Sequence, residues 1–217
     1  MQLTSVNIGE KRTLQKGDAL VTTGIFKFPA SGRVKIGELG LEGDVIMDKK
    51  NHGGPDQAVY VYGGAEYDWW RAELGRDLPP GIFGENLTVS ELESAGFNIG
   101  DVLVVGAARL QVTAPRIPCS DFAARMDDLG WVKKFRAAER PGLYCRVLRE
   151  GFVQAGDSVS VEKYAGKTLS ILQMYRDYYA GEKDVALIRR HLDAPLAIRS
   201  RLKIEALQKS AFTGKSD

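Results

Sequence analysis

Over the first two-thirds of the chain, apolar residues come in short runs, many alternating with polar ones, and glycine separates them. Alternation with a period of two places every second side chain on one face of an extended strand. A Gly-Asp pair precedes four such runs: Gly17-Asp18 before ALVTT, Gly43-Asp44 before VIM, Gly100-Asp101 before VLVV and Gly156-Asp157 before SVSV. Glycine supplies a positive φ and aspartate bonds its own backbone, so each pair predicts a turn entering a strand. The spacings are unequal and the flanks differ, which excludes an internal repeat. Further strands are predicted over Ala58 to Tyr62, Asn86 to Val89, Ala107 to Thr113, Leu143 to Leu148 and Phe152 to Gln154. Many short strands between turn signals predict a mainly β fold with some helix, built on a closed or nearly closed barrel.

Helical spacing interrupts this pattern at Ala65 to Leu74, where Tyr67, Trp70 and Leu74 share a face and Gly75 ends the run. That stripe reads as core. Short helices are predicted over Asp121 to Met126 and Trp131 to Ala138. From about Ala165 the period changes throughout. Lys167 to Ala180 is periodic and ends at Gly181; Asp184 caps a helix through His191; Asp193-Ala194-Pro195 opens a third that runs to about Gln208. The residues after Phe212 are expected to fray. The predicted organisation is a barrel domain over 1–164 and a three-helix extension over 165–217. Three helices of this length bury too little to stand alone, so they are expected to pack on the barrel or on a partner.

Composition narrows the class. A chain of 217 residues, 44% apolar and 27% charged, is an ordinary globular protein that needs no covalent staple. Thirty basic against 28 acidic residues leave +2, too little to argue for an anionic partner. Two cysteines, Cys119 and Cys145, can form neither a disulfide scaffold nor a four-thiolate cluster. No apolar run approaches the ~18 residues of a membrane span, and the N-terminus has no signal-peptide core. A soluble cytoplasmic protein is expected.

Candidate chemistry gathers in four patches. In Leu110 to Ser120 (LQVTAPRIPCS) a strand runs into a loop stiffened by Pro115 and Pro118, which holds Cys119 on a short rigid arm. Arg116 stands just upstream, and a nearby cation favours thiolate, the form that attacks or ligates. Asn51-His52-Gly53-Gly54-Pro55-Asp56-Gln57 precedes a strand; its paired glycines let backbone N–H groups approach a ligand, and His52 is one of two histidines. Gly84-Glu85-Asn86 places a carboxylate and an amide where another strand begins. In Gly24 to Pro29 (GIFKFP), Lys27 lies between two aromatics and could meet a phosphate. Each patch also has a plain reading as turn or surface. Cys145, on a strand face with Leu143 and Val147, reads as core, and His191, beside Arg189 and Arg190, as solvated. There is no phosphate loop, dinucleotide fingerprint or zinc spacing. A lone thiolate among glycine N–H groups and cations suits either a Cys–His nucleophile or a soft-metal site in which a bulky cofactor supplies the other ligands.

Taken together, LGLEGD (39–44), NHGGPDQAVYVY (51–62), FGENLTV (83–89), IGDVLVVGAARLQVTAPRIPC (99–119) and GLYCRVLREGFVQAGD (142–157) resemble the MOSC family, named for the C-terminal domain of molybdenum cofactor sulfurases. The likeness is greatest to its stand-alone bacterial YiiM-type members, which carry a three-helix extension. It implies a β-barrel of the pyruvate-kinase type and a molybdenum cofactor (molybdopterin with Mo) whose metal is bound by Cys119. It also implies reduction of N-hydroxylated compounds, such as hydroxylaminopurine-type base analogues, to amines. On that reading the cofactor pocket draws on Lys27, His52, Gly53, Gly54, Asp56, Gly84, Glu85, Asn86 and Arg116, and His52 serves as proton source. Where these proteins often have Tyr-Pro-x-Glu-His before the aromatic helix, this chain has Tyr62-Gly63-Gly64-Ala65-Glu66, without that histidine. Electrons are expected from a separate flavin-type reductase. The alternatives are a carrier of cofactor or sulfur without turnover, a metal-free Cys119–His52 thiol enzyme, and a nucleic-acid reader using Arg189, Arg190, Arg199 and Arg201. The last ranks lowest, because a local +4 over the three helices is a modest field. Docking or formation of a homodimer is the expected use of those helices.

Overall fold

A computed structural model describes residues 1–49, 52–181 and 184–213. Asn51 of the glycine patch and residues 214–217 of the expected frayed tail lie outside these. The strands are β1 (Leu3–Gly9), β2 (Arg12–Lys16), β3 (Ala19–Thr23), β4 (Lys27–Pro29), β5 (Val34–Gly37), β6 (Gly40–Leu41), β7 (Val59–Gly63), β8 (Leu87–Val89), β9 (Val102–Val105), β10 (Ala108–Ala114), β11 (Leu143–Arg149), β12 (Gly151–Val153) and β13 (Val159–Glu162). The helices are α1 (Gly64–Leu74), α2 (Ser120–Met126), α3 (Trp131–Ala138), α4 (Ile171–Tyr179), α5 (Val185–Asp193) and α6 (Ile198–Thr213).

Eight strands form one sheet in the order β13-β9-β10-β11-β7-β8-β1-β4. Every neighbouring pair is antiparallel except β7 and β8, and that parallel step is bridged by α1 and the loop after it. The sheet curls back on itself. The start of β1 bonds the turn into β13, with the Leu3 N–H donating to the Asp157 carbonyl (2.9 Å) and the Gly156 N–H to the Leu3 carbonyl (2.7 Å). Gln2 and Ser158 form an antiparallel bridge at the same seam. The fold is thus a β-barrel with helices, a mixed architecture as the strand and helix patterns imply.

All four Gly-Asp glycines have positive φ: 60° at Gly17, 82° at Gly43, 95° at Gly100 and 96° at Gly156. Three of them lead into strands. The fourth does not: residues 45–47 (VIM) are not a strand but an irregular segment beside the cavity described below. Three apolar residues followed by Asp48 and Lys49 are too short an alternating run to claim a sheet edge. Strands β1, β2, β4, β5 and β6 were not among the strands expected from the pattern.

The aromatic stripe of α1 is core as expected. Trp70, Phe83, Phe122, Trp131 and Phe135 bury their rings together, with centroids 4.7 Å apart for Trp70–Trp131 and 5.1 Å for Phe122–Phe135. This cluster fixes α2 and α3, and with them the segment that carries Cys119. Gly75 ends α1 in a left-handed conformation (φ 62°), its N–H on the Arg71 carbonyl.

Beyond 165 the helix boundaries shift from those expected. Helix α4 begins at Ile171 and is capped by Ser170, whose side chain accepts the Gln173 N–H; it ends before Ala180 rather than at Gly181. Asp184 caps α5 through the Leu187 N–H. Pro195 does not open α6; residues 194–197 form a linker and the helix starts at Ile198. Leu169, Ile171, Met174, Ala194, Leu196 and Ala197 pack into the same apolar core as the barrel. His191 is not solvated: it is 4% exposed and its Nε2 lies 2.7 Å from Asp177 Oδ2. Its helix turns that face onto α4, whereas Arg190 beside it stays half-exposed. Among the described residues no helix is long and apolar enough to cross a membrane.

Candidate functional site

Strand β10 ends at Ala114, and the Pro115–Pro118 loop carries the chain over the barrel rim to Cys119, the N-cap residue of α2 (φ −118°, ψ 171°). Cys119 is partly buried and lines a cavity of about 90 Å³. His52 and Gly53 enter that cavity from the loop before β7, Lys27 from β4, Gly84 and Asn86 from the entrance to β8, and Arg116 from the proline loop. Segments distant in sequence are thereby brought to one hollow at one end of the barrel.

Arg116 dominates its electrostatics. The side chain is 4% exposed, with its guanidinium carbon 4.8 Å from the Tyr60 ring and 4.5 Å from the Phe122 ring. Each such contact contributes on the order of 1 kcal/mol. Among the described residues it forms no ion pair, and its buried Nε has no hydrogen-bond partner. Burial works against its charge, but the phenols of Tyr144 and Tyr60 and the Cys119 sulfur outweigh that, and its pKa is raised. Gly84 is required where it is. Its φ is 73°, and a Cβ there would come within 3.2 Å of Arg116 Nη1.

Lys27 behaves differently. It is buried and ion-paired with the equally buried Asp44. Asp44 Oδ1 also accepts the Gly9 N–H (2.7 Å), and Oδ2 accepts from Asn86 Nδ2 (2.9 Å). Burial lowers the lysine's pKa, with Asp44 opposing. Its charge is therefore largely answered within the protein. Strand alternation explains its aim: Lys27 faces in, while Phe26 and Phe28 face out and meet Arg12 (5.7 and 4.4 Å) and Arg125 (4.6 Å from Phe26).

His52 is half-buried, and its pKa is lowered by burial first and then by Arg116. Its imidazole is neutral at pH 7, an acceptor and donor in place of a cation.

Three other candidates do not line the cavity. Glu85 is fully buried behind it, where Oε1 accepts from Tyr67 (2.5 Å), the Gly81 N–H (2.7 Å) and Thr88 (2.9 Å). Burial raises its pKa. Gly54 (φ 82°) faces Arg199. Asp56 accepts the Ile198 N–H (2.6 Å) and pairs with Arg146 (3.1 Å). Cys145 is fully buried in β11, and burial raises its thiol pKa.

Residues not singled out from the sequence also line the hollow, among them Asp44, Gln57, Tyr60, Asp121 and Tyr144. Asp44 offered one signal, its place in a Gly-Asp turn, which on the pattern alone reads as the entrance to a strand. The tyrosines offered none, since on the pattern alone they are strand residues. Chemically the site unites one thiol, one buried guanidinium that forms no ion pair among the described residues, and one neutral imidazole, a set suited to an anionic ligand that is held partly through sulfur.

The model of the MOSC domain matches residues 48–160. The Bacillus subtilis protein YflK is 37% identical over 188 residues, covering 87% of this chain and 85% of its own. The crystal structure of YiiM from Geobacillus stearothermophilus superposes with a TM-score of 0.78 at 29% identity, over 94% of this chain and 97% of that one. A Gibberella moniliformis protein named reductase is 29% identical over 184 residues; the match covers 81% of this chain and 32% of the fungal one.

Proposed function

The chain belongs to the MOSC domain family, and on that premise we propose that it is a molybdenum-cofactor-dependent reductase of N-hydroxylated compounds with Cys119 as the protein's sulfur ligand. The observation that carries this reading is the cavity itself. Cys119 opens into a hollow beside a guanidinium that is buried, charged and without a hydrogen-bond partner at Nε. Among the described residues this buried charge pairs with no carboxylate, and an anion in the hollow would answer it. MOSC domains are associated with molybdenum-cofactor binding, and a cofactor bearing phosphate and sulfur ligands fits the donor set. Among the described residues no three His, Cys, Asp or Glu side chains converge on one point. On this reading the protein contributes one sulfur, that of Cys119, and the remaining ligands come with the cofactor.

When bound, the molybdenum cofactor supplies a two-electron redox couple. Converting R–NH–OH to R–NH2 and water consumes two electrons and two protons, and the residues of this chain serve the second requirement. Arg116 holds negative charge against the cavity wall. The Lys27–Asp44 pair, through Asn86, keeps the β4 and β8 entrances together. His52, neutral at pH 7, accepts a proton from solvent and donates one to the departing hydroxyl. Tyr60 and Phe122 flank the guanidinium and exclude water from one side of it. The electrons would come from a separate reductase, and the fungal relative named reductase is consistent with a redox role.

A second reading draws on the same hollow: Cys119 with neutral His52 as a metal-free thiol enzyme. One experiment separates the two. Wild type and Cys119→Ala are purified from cells that make the cofactor, and molybdenum is measured by mass spectrometry. Wild type is expected to hold close to one metal per chain, and the variant less than about a tenth of that. Equal metal in both, or full turnover by metal-free wild type, overturns the proposal.

A further inference from the structure

The linker between α5 and α6 lies across both loops that feed the cavity. The Ala197 N–H donates to the carbonyl of Thr113 (3.2 Å), near the end of β10 where the chain departs for Cys119. Thr113 Oγ1 donates to the carbonyl of Asp56 (2.5 Å). The Asp56 carboxylate accepts the Ile198 N–H (2.6 Å) and pairs with Arg146, which donates to the Leu196 carbonyl (2.7 Å). Arg199 then spans the other loop. Its Nη1 donates to Gln57 Oε1 (2.9 Å) and its Nη2 to the Lys49 carbonyl (2.8 Å). Lys49 and Gln57 stand on either side of His52 and Gly53, and Gln57 itself lines the cavity. A Cβ on Gly54 would approach Arg199 Nη2 to 3.5 Å, so the guanidinium lies against Gly54, the second of the paired glycines.

We propose that residues 194–199 act as a splint between the arm that carries Cys119 and the arm that carries His52, and that Arg199 is the positioning residue that fixes His52 relative to the sulfur. The inference rests on Cys119 and His52 sharing one site, not on what binds there. A loop bearing two successive glycines of positive φ, Gly53 (67°) and Gly54 (82°), has little local preference for a single shape. The two donors of one planar guanidinium, set on residues flanking that loop, supply the preference from outside. On this account the C-terminal helices are part of the site, in addition to any docking role.

The test is Arg199→Met, which keeps the stem and removes the donors, with Gln57→Ala breaking one of the same bonds from the other side. Amide hydrogen exchange over 52–57 is expected to quicken about tenfold or more in Arg199→Met, while exchange in β10 stays as in wild type. Alkylation of Cys119 by iodoacetamide is expected to quicken about threefold, with buried Cys145 silent. Arg199→Lys, which keeps one donor and the charge, should recover part of both effects, and Gln57→Ala should reproduce part of them. The proposal is overturned if both rates stay within about twofold of wild type, or if exchange rises equally across the barrel, the mark of general destabilisation. Neither readout needs metal. If the protein binds no molybdenum while the loop loosens as expected, the proposed chemistry falls and the splint stands.

Discussion

Arg116 and His52 show how one buried charge sets the state of its neighbour. The guanidinium packs against two rings and, among the described residues, pairs with no carboxylate; its field, added to burial, holds the His52 imidazole below its ordinary value of 6.5. A group with a lower pKa in the folded chain takes its proton more readily when unfolded. The contribution of His52 to stability is therefore complete above about pH 6.5 and is lost as pH falls below that value toward the depressed one. In urea titrations between about pH 7 and pH 5, the midpoint of wild type is expected to fall more steeply than that of His52→Gln, which has no proton to gain. Parallel curves would show that His52 is solvated in the folded protein. In the proposed reaction a neutral imidazole relays protons at pH 7, which a permanently charged one would do poorly beside Arg116.

Among the elements, α1 depends on a carboxylate that the stripe of aromatics does not reveal. Glu66 is fully buried; it accepts the Gly63 N–H (3.2 Å) at the start of the helix, and the Ser94 N–H (2.9 Å) and hydroxyl from the loop after β8. Burial pushes its pKa up to about 7, with the Ser94 bonds opposing. A carboxyl with a raised folded pKa gives its stability in full below its unfolded value of 4.5 and loses it as pH rises through about 7. Glu66→Ala strands these donors and is expected to cost about 2 kcal/mol in chemical denaturation. Glu66→Gln should flatten the pH dependence between about 4.5 and 7, and a variant that keeps the wild-type slope would contradict the assignment. The GIFKFP strand makes a similar point. Alternation sends Lys27 inward and both phenylalanines outward, yet the carboxylate that answers Lys27 lies on a different segment, at Asp44.

At the scale of the molecule, barrel and helices meet through a Gly-Asp turn. Asp101 is fully buried and accepts from the Asn98 N–H (3.0 Å), the Tyr164 N–H (3.0 Å) and Lys163 Nζ (2.8 Å). It thus ties the entrance of β9 to the chain leaving β13 for α4. Asp101→Ala is expected to destabilise by about 3 kcal/mol, since backbone donors are left buried and unpaired. Exchange should rise first over 163–170, and a loss confined to β9 would show that the turn serves its own strand alone. The Arg199 splint and the Asp101 knot are separate attachments of the last helices, one at the site and one at the seam side of the sheet.

How much was legible from the chain follows from the range of the forces involved. Period, turn glycines and caps are local, so the barrel class, α1, α2, α3, the helical texture after 165 and the stiff delivery of Cys119 could all be read from residues a few positions apart. The sequence by itself also brought His52, Lys27, Arg116 and the Gly84 turn forward as candidates, because their residue types and neighbours restrict what they can do. Only the tertiary structure decided which charges are already answered. Lys27 is paired whereas Arg116 forms no ion pair among the described residues, Glu85 and Asp56 hold the fold from outside the cavity lining, and His191 is buried against Asp177. It also decided where α6 begins and that Arg199 reaches Gln57 and Lys49. Those outcomes turn on burial and on partners far apart in sequence, and a charge carries no local mark of the distant group that will neutralise it.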